Sequence, residues 1–323
     1  MTSAPTSIDG PTVVPETDTK SARVMPSALP GPTGKVRKGA EPLPVDPHLR
    51  PEETLPKQQR RFDRTARLLG DAAMARLMRA HVVVFGVGGV GSFALEALAR
   101  SGVGHLTLVD FDDVCVTNIN RQLHALKDTV GQPKVEVMAD RLRAINPHIQ
   151  VTMRELFYSA DTADDLLTAD SGYDCVVDAI DNITAKCHLL DRARGLGIRV
   201  VSSMGAAARL DPTSVRVADL KDSYNDPFAR DIRRILRRNY GWNLQEETGV
   251  PCVFSIERPH KPTALYYDQK AGGFQCVCPP KEDRPHTCDD RLQIEGTVPY
   301  VTGAFGLACA SLAVSALTDG GGA

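Results

Sequence analysis

The stretch Val82-Val83-Val84-Phe85-Gly86-Val87-Gly88-Gly89-Val90-Gly91-Ser92 decides the fold. Its β-branched, apolar start reads as a buried strand, and Ser92 to Arg100 reads as a helix. Between them the glycines run Gly86-x-Gly88-Gly89-x-Gly91. A strand, a glycine turn and a helix N-terminus together make an anion site. The missing Cβ atoms let the backbone approach phosphate oxygens, while free N–H groups and the helix dipole favour negative charge. Asp110 closes the next strand, His105-Leu-Thr-Leu-Val-Asp110, where a carboxylate can accept from ribose hydroxyls. The stretch predicts a bound nucleotide, and the glycines alone leave NAD, FAD and ATP open.

Outward from this stretch, strands and helices alternate. A helix leads in through Leu68, Leu69, Met74 and Leu77. After Asp110 a loop passes Asn118, Asn120 and Arg121. Lys134 then opens a helix whose apolar positions Val135, Met138, Leu142 and Ile145 recur at helical spacing. Strands are expected at Ile149–Met153, Tyr173–Ile180 and Arg199–Ser203, separated by helices. This order predicts an α/β fold, a Rossmann-like, doubly wound, mostly parallel sheet, with its ligand at the carboxyl ends of the strands. Past residue 210 the pattern changes to a C-terminal α+β extension, 211–323. It holds a strand near Ser214–Leu220, a basic helix from Asp226 to Tyr240, an irregular region over 243–300 and an apolar helix over Gly303–Leu317.

Composition bounds the rest. Residues 1–57 hold half of the chain's 22 prolines and no Phe, Tyr or Trp, which predicts a disordered tail ahead of the nucleotide-binding domain expected at 58–210. A net charge of -2 gives no global attraction to nucleic acid or membrane, so such affinity must be local. The early Asp9, Glu16 and Asp18 argue against a signal peptide. No uninterrupted apolar run reaches the roughly 20 residues of a membrane span, and no membrane partner is expected. Eight scattered cysteines read as reduced, in a cytoplasmic protein.

Three further groups favour ATP over a dinucleotide. Arg121 and Lys134 can both face the mouth above the first two strands, and two cations beside a glycine turn suit a triphosphate. Asp178-Ala179-Ile180-Asp181-Asn182 places carboxylates at the end of the fourth strand, in reach of a phosphate-bound Mg²⁺. Asp178 is expected to satisfy backbone groups and Asp181 to hold metal. Each cation taken alone could equally be an ordinary surface or helix-start residue; the set together carries the reading.

Gly86-x-Gly-Gly-x-Gly91, Leu-Val-Asp110-Phe-Asp, Asn118-Ile-Asn-Arg121-Gln, Gly131-Gln-Pro-Lys134 and Asp178-Ala-Ile-Asp181-Asn resemble the ubiquitin-activating-like superfamily of adenylating enzymes. Within it, Arg61-Phe-Asp-Arg64-Thr-Ala-Arg67-Leu, Asp113-Val-Cys-Val-Thr-Asn118, Arg121-Gln-Leu-His-Ala-Leu126 and Gly249-Val-Pro-Cys252-Val-Phe-Ser255 resemble the tRNA threonylcarbamoyladenosine dehydratases. The resemblance implies that residues 58–210 are the ATP-binding, adenylating domain, in which Asp110 holds the ribose, Asn118, Arg121 and Lys134 the phosphates, and Asp181 Mg²⁺. It implies that Arg64 reaches the phosphates from the partner of a homodimer. The implied reaction is ATP-dependent cyclisation of the threonylcarbamoyl group on a tRNA adenosine beside the anticodon, through an acyl-adenylate. The alternative is adenylation of the C-terminal glycine of a small sulfur-carrier protein; sulfur-transfer proteins are also candidate partners. An NAD oxidoreductase would leave Arg121, Lys134 and Asp181 without a task.

Two regions stand apart from that pattern. Cys276, Cys278, His286 and Cys288 could close a tetrahedral zinc site, although ordinary reduced cysteines are the favoured reading. Cys252 is read as a small buried residue, with thiol chemistry the alternative. Arg230, Arg233, Arg234, Arg237 and Arg238 recur at helical spacing and fill one arc of about 140°, opposite Ile232, Ile235 and Leu236. That face is expected to point outward and pair with tRNA phosphates.

Overall fold

The computed structural model describes residues 60–266 and 295–318. The Pro-rich segment 1–57 and the cysteine–histidine group Cys276, Cys278, His286 and Cys288 lie outside the described residues. Strand β1 (His81–Phe85) is an inner strand of a seven-stranded sheet with β2 (His105–Val109), β3 (Gln150–Arg154), β4 (Cys175–Asp178), β5 (Arg199–Ser203), β6 (Val215–Asp219) and β7 (Pro251–Ser255). The order is β3-β2-β1-β4-β5-β7-β6, and every neighbouring pair is parallel except β6 against β7. The chain leaves β1 towards β2 and β3 and later returns on its other side as β4. Register sets Phe85 beside both Val109 and Asp178, so Gly86, Asp110 and Ala179 share one end of the sheet at this reversal.

Successive strand residues point to opposite faces, and β1 shows why both must be apolar. Val82 and Val84 join one core with Met74, Leu77, Leu95, Leu98, Met138 and Leu142. These come from α2 (Asp71–Arg79), α3 (Gly91–Ser101) and α4 (Lys134–Ile145). Val83 and Phe85 join the other core, with Leu166, Leu189, Leu190, Ile232 and Leu236. These come from α5 (Ala163–Leu166), α6 (Ile183–Gly195) and α7 (Pro227–Asn239). A fully buried Leu or Phe contributes roughly 1.5–3 kcal/mol, whereas a helix cap contributes roughly 1 kcal/mol. The two clusters therefore hold the helices to the sheet.

Several expectations change. The leading helix is two helices, α1 (Asp63–Leu69) and α2, parted at Gly70, whose φ of +83° lies outside the helical region and which costs about 1 kcal/mol against alanine inside a helix. The region expected to be irregular supplies β7, an inner strand whose Cys252, Val253 and Phe254 are all buried. Its run is short and opens on Pro251, so pattern alone hides it. The last helix, α8 (Pro299–Thr318), spans 20 residues and starts at a proline, which suits the first helical position. By length and composition it is apolar enough to cross a membrane, contrary to the expectation that no stretch reaches that length. In the fold its Val301, Phe305, Cys309, Ala310, Ala313 and Leu317 are buried in the core shared with β1 and α3. It lies against α3 so closely that a Cβ on Gly306 would sit 2.3 Å from the Val90 carbonyl oxygen. Arg76 and Arg199 each donate to a carbonyl in its last turn, at Thr318 and Ala316, both at 2.5 Å.

Candidate active site

The turn after β1 is built for close approach. Gly86 has φ +89°, and a Cβ there would stand 2.7 Å from the Ala179 carbonyl oxygen. A Cβ on Gly91 would stand 1.7 Å from the Gly86 oxygen, so the helix start folds directly onto the turn. Gly88 differs, because its nearest neighbour is Gln122 Nε2 at 3.9 Å and the space above it is open. Gly89 is walled by Thr302 of α8 at 3.3 Å and by the Arg121 Cγ at 3.4 Å from the Cβ position. Arg121 therefore stands at the glycine turn, as its spacing suggested. Its guanidinium donates to the Thr117 carbonyl at 2.9 Å and the Asn120 side-chain oxygen at 3.0 Å.

Asp110 follows β2 and faces the same turn. Its carboxylate accepts from the Val87 N–H at 2.6 Å and the Asp112 N–H at 2.9 Å. Lys134, at the first position of α4, is 5% exposed. Its Nζ lies 2.7 Å from Asp112 and 3.9 Å from Asp110. Burial works against the lysine's charge, but Asp110 and Asp112 together hold its pKa above the ordinary lysine value. Burial raises the Asp110 pKa, opposed by Lys134 and the two N–H donors. The lysine is not the loosely packed helix-start residue that its position suggests. It is a buried cation at the mouth, on two carboxylates, one of which accepts from the Val87 N–H of the glycine turn.

The end of β4 separates its two aspartates sharply. Asp178 is fully buried, and its Oδ2 receives Lys186 Nζ at 2.5 Å and Ser202 Oγ at 2.6 Å. Its Oδ1 accepts from the Ile180 N–H at 3.1 Å. Asp181 is exposed and makes no hydrogen bond or ion pair among the described residues. It is near enough to Lys134 to add to the rise of that lysine's pKa. Mg²⁺ takes oxygen ligands, keeps several waters and is held by one or two carboxylates plus substrate phosphates. One exposed carboxylate across from an open glycine turn fits that donor set.

The remaining expected residues fall in different places. Asn118 is buried, and its side-chain oxygen accepts from the Cys115 N–H at 3.0 Å, which shapes the loop leading to Arg121. Arg64 is exposed on α1. That helix follows Phe62, whose ring is 3.6 Å from the Gly102 Cβ position at the amino ends of the strands, so Arg64 stands away from its own chain's glycine turn. Cys252 is buried and burial pushes its thiol up to about 12. Cys115, Cys175, Cys187 and Cys309 are buried as well.

The arginine face of α7 needs correction. Arg230, Arg234, Arg237 and Arg238 are exposed, but Arg233 is half-buried and turned inward. Its guanidinium donates to the Ser223 carbonyl at 2.7 Å, to the Ser223 hydroxyl and to the Leu220 carbonyl at 3.4 Å. It borders Ile232 and Leu236, the buried edge of the helix, and the short turn Leu220–Asp222 offers its carbonyls there. Asp231 lies on the same face, 3.6 Å from Arg230 and 3.2 Å from Arg234.

Lys186 was absent from the expected site. Its signal is periodicity: Lys186, Leu189, Leu190 and Ala193 follow i, i+3, i+4, i+7, all on the buried face of α6. A lysine on an apolar stripe requires a buried partner, and Asp178 is that partner.

Comparison with known proteins agrees with this geometry. The ThiF family matches residues 62–322. The tRNA threonylcarbamoyladenosine dehydratase of Escherichia coli (strain K12) is 42% identical over 258 residues, covering 79% of this chain and 92% of the relative. The enzyme of that name from Bacillus subtilis (strain 168) is 46% identical over 198 residues, covering 61% and 75%. The crystal structure of the E. coli dehydratase, TcdA, in complex with ATP has a TM-score of 0.68 and 39% identity, covering 81% of this chain and 95% of that one. The chain belongs to the ThiF family and, within it, to the tRNA threonylcarbamoyladenosine dehydratases.

Proposed function

We propose that the chain uses ATP to dehydrate the threonylcarbamoyl group of a tRNA adenosine, closing it into a ring. The carrying observation is the buried Lys134, held by Asp110 and Asp112 beside an open glycine turn with Asp181 across from it. A carboxylate has no leaving group at neutral pH. Transfer to the α-phosphate of ATP releases pyrophosphate and gives an acyl-adenylate; the modification's own carbamoyl group then attacks the carboxyl carbon and expels AMP. The attacker is tethered, so proximity supplies much of the rate and no enzyme nucleophile is required. In keeping with this, all five described cysteines are buried.

The chain's own residues have distinct tasks in this scheme. Asp110 accepts from ribose hydroxyls, and the N–H groups from Gly88 to Gly91 face the phosphates, the Ser92 N–H being taken by the Gly88 carbonyl at 3.0 Å. Arg121 and Lys134 supply the cationic field at the crowded α-phosphate, and Asn118 fixes the loop that carries Arg121. Asp181 holds Mg²⁺, which, when bound, screens the phosphate oxygens. Arg64 enters from the partner of a homodimer. The exposed Arg230, Arg234, Arg237 and Arg238 of α7 meet tRNA phosphates, and the enzyme works where tRNA is, in the cytoplasm.

Pyrophosphate release from Mg²⁺–ATP tests the reading, with threonylcarbamoyl-modified tRNA and a small sulfur-carrier protein as alternative acceptors. Stimulation by the tRNA alone supports it; stimulation by the carrier alone overturns it in favour of carrier adenylation. The shared site has its own test. Mixing Arg64→Ala with Lys134→Ala protein restores part of the activity if each mixed dimer keeps one intact site, and no recovery after confirmed subunit exchange refutes the assignment of Arg64.

A further inference from the structure

The loop from Asp178 to Asn182 is pinned at both ends, and the Asp181 carboxylate between them is exposed and makes no hydrogen bond or ion pair among the described residues. At one end the Asp178 carboxylate is fixed by Lys186, Ser202 and the Ile180 N–H. The Ala179 N–H also donates to the Phe85 carbonyl at 2.8 Å. At the other end Asn182 caps α6, accepting the Ala185 N–H at 3.0 Å, and its carbonyl accepts the Lys186 N–H at 2.9 Å. Lys186 belongs to both anchors, through its backbone to the cap and through its ammonium to the strand end. The Ser202 hydroxyl, 3.3 Å from the ammonium, completes a closed polar cluster inside an apolar layer.

The charges at the mouth give this cluster a consequence. Asp110 and Asp112 share Lys134, and Asp178 has Lys186. A carboxylate pulled from the interior towards Asp181 would offer a second, differently placed ligand to a divalent cation. We infer that Lys186 is a positioning residue for the metal-bearing carboxylate: by holding Asp178 inside the core it presents Asp181 alone, in one geometry, to the phosphate-bound cation. This rests on the Mg²⁺–ATP reading above. The lysine touches neither nucleotide nor metal, and acts through the Asp178–Asn182 backbone. Partners behind a ligand typically alter metal affinity by roughly 10–100-fold.

The test is the Mg²⁺ concentration that half-saturates ATP binding, read by calorimetry on the full chain without tRNA, beside ATP affinity in EDTA and the melting temperature. Lys186→Met is expected to raise the Mg²⁺ midpoint about tenfold or more, with ATP affinity in EDTA within about twofold of wild type. Lys186→Met/Asp178→Asn removes both charges and keeps acceptors for Ser202 and Ile180. It is expected to return the midpoint to within about threefold of wild type. The double variant keeps the test decisive if the single variant fails to fold, because a double variant that folds with a tenfold-raised midpoint overturns the inference. An unmoved midpoint in a folded Lys186→Met overturns it as well. Wild-type ATP binding that ignores Mg²⁺ would instead sink the underlying reading.

Discussion

Replacing Lys134 with alanine tests the site and the fold together. Removing the ammonium leaves Asp110, 9% exposed, and Asp112 without their shared cation. Breaking a fully buried pair costs roughly 3–5 kcal/mol. The Asp112 side chain is 38% exposed, so solvent recovers part of that and about 2–3 kcal/mol is expected here. For a domain of this size that corresponds to a fall of about 5–10 °C in melting temperature. Lys134 is held protonated above its ordinary value, so its contribution is fully present below about 10.5 and is lost as pH rises through the higher folded-state pKa. A comparison at pH 7 to 8 therefore sees the whole effect. Losing a donor aimed at developing charge costs roughly 10²–10³-fold in rate. Scanning fluorimetry of the ATP-free protein gives the first number and pyrophosphate release with tRNA, below the variant's own melting temperature, gives the second. A melting temperature within about 1 °C of wild type would refute the buried triad, and near wild-type release would refute the phosphate role.

Other consequences are open to direct measurement. His124 is 1% exposed, and burial first, then Lys134 and Arg141, lowers its pKa to about 3. The unfolded chain therefore binds the extra proton between about pH 6.5 and 3, and stability should fall through that window by up to about 1.4 kcal/mol per pH unit. His81, His105 and His188 shift the same way, so His124→Phe should flatten the slope of urea-unfolding stability between pH 6.5 and 5 without abolishing it; an unchanged slope would count against a neutral buried ring. Arg234→Gln/Arg237→Gln/Arg238→Gln should weaken tRNA binding and lower its salt slope by up to about three, leaving ATP affinity alone, and an unaltered salt slope would make α7 an ordinary surface. Gly91→Ala would place a methyl 1.7 Å from the Gly86 oxygen, and soluble, ATP-binding Gly91→Ala protein would contradict the closed turn.

The strand, glycine turn and helix at residues 82–101 were legible because their signals are local, a β-branched run, four glycines and a helix start within a few residues. Lys134 was legible as a cation at the mouth above the first two strands but not as a buried one, because the carboxylates that hold it, Asp110 and Asp112, lie on another element. Lys186 left a trace in helical periodicity that only makes sense beside its aspartate. Arg233 shows the limit of a helical wheel: the arc is right, but a neighbouring turn with spare carbonyls draws one guanidinium out of it. β7 and the first turn of α8 were hidden by prolines at their starts and by glycines nearby, which read as loop until the sheet edge and the core supply the partners.

The last helix also fixes when the protein can become whole. Thr302 walls the Gly89 turn, and Phe305, Cys309 and Leu317 fill the core that β1 and α3 open first. A ribosome adding roughly 5–20 residues per second needs several seconds between Ser203 and Thr318. Throughout that interval the nascent nucleotide half has an uncovered apolar face. The emergence of α8, not completion of the glycine turn, is therefore the event that closes this core.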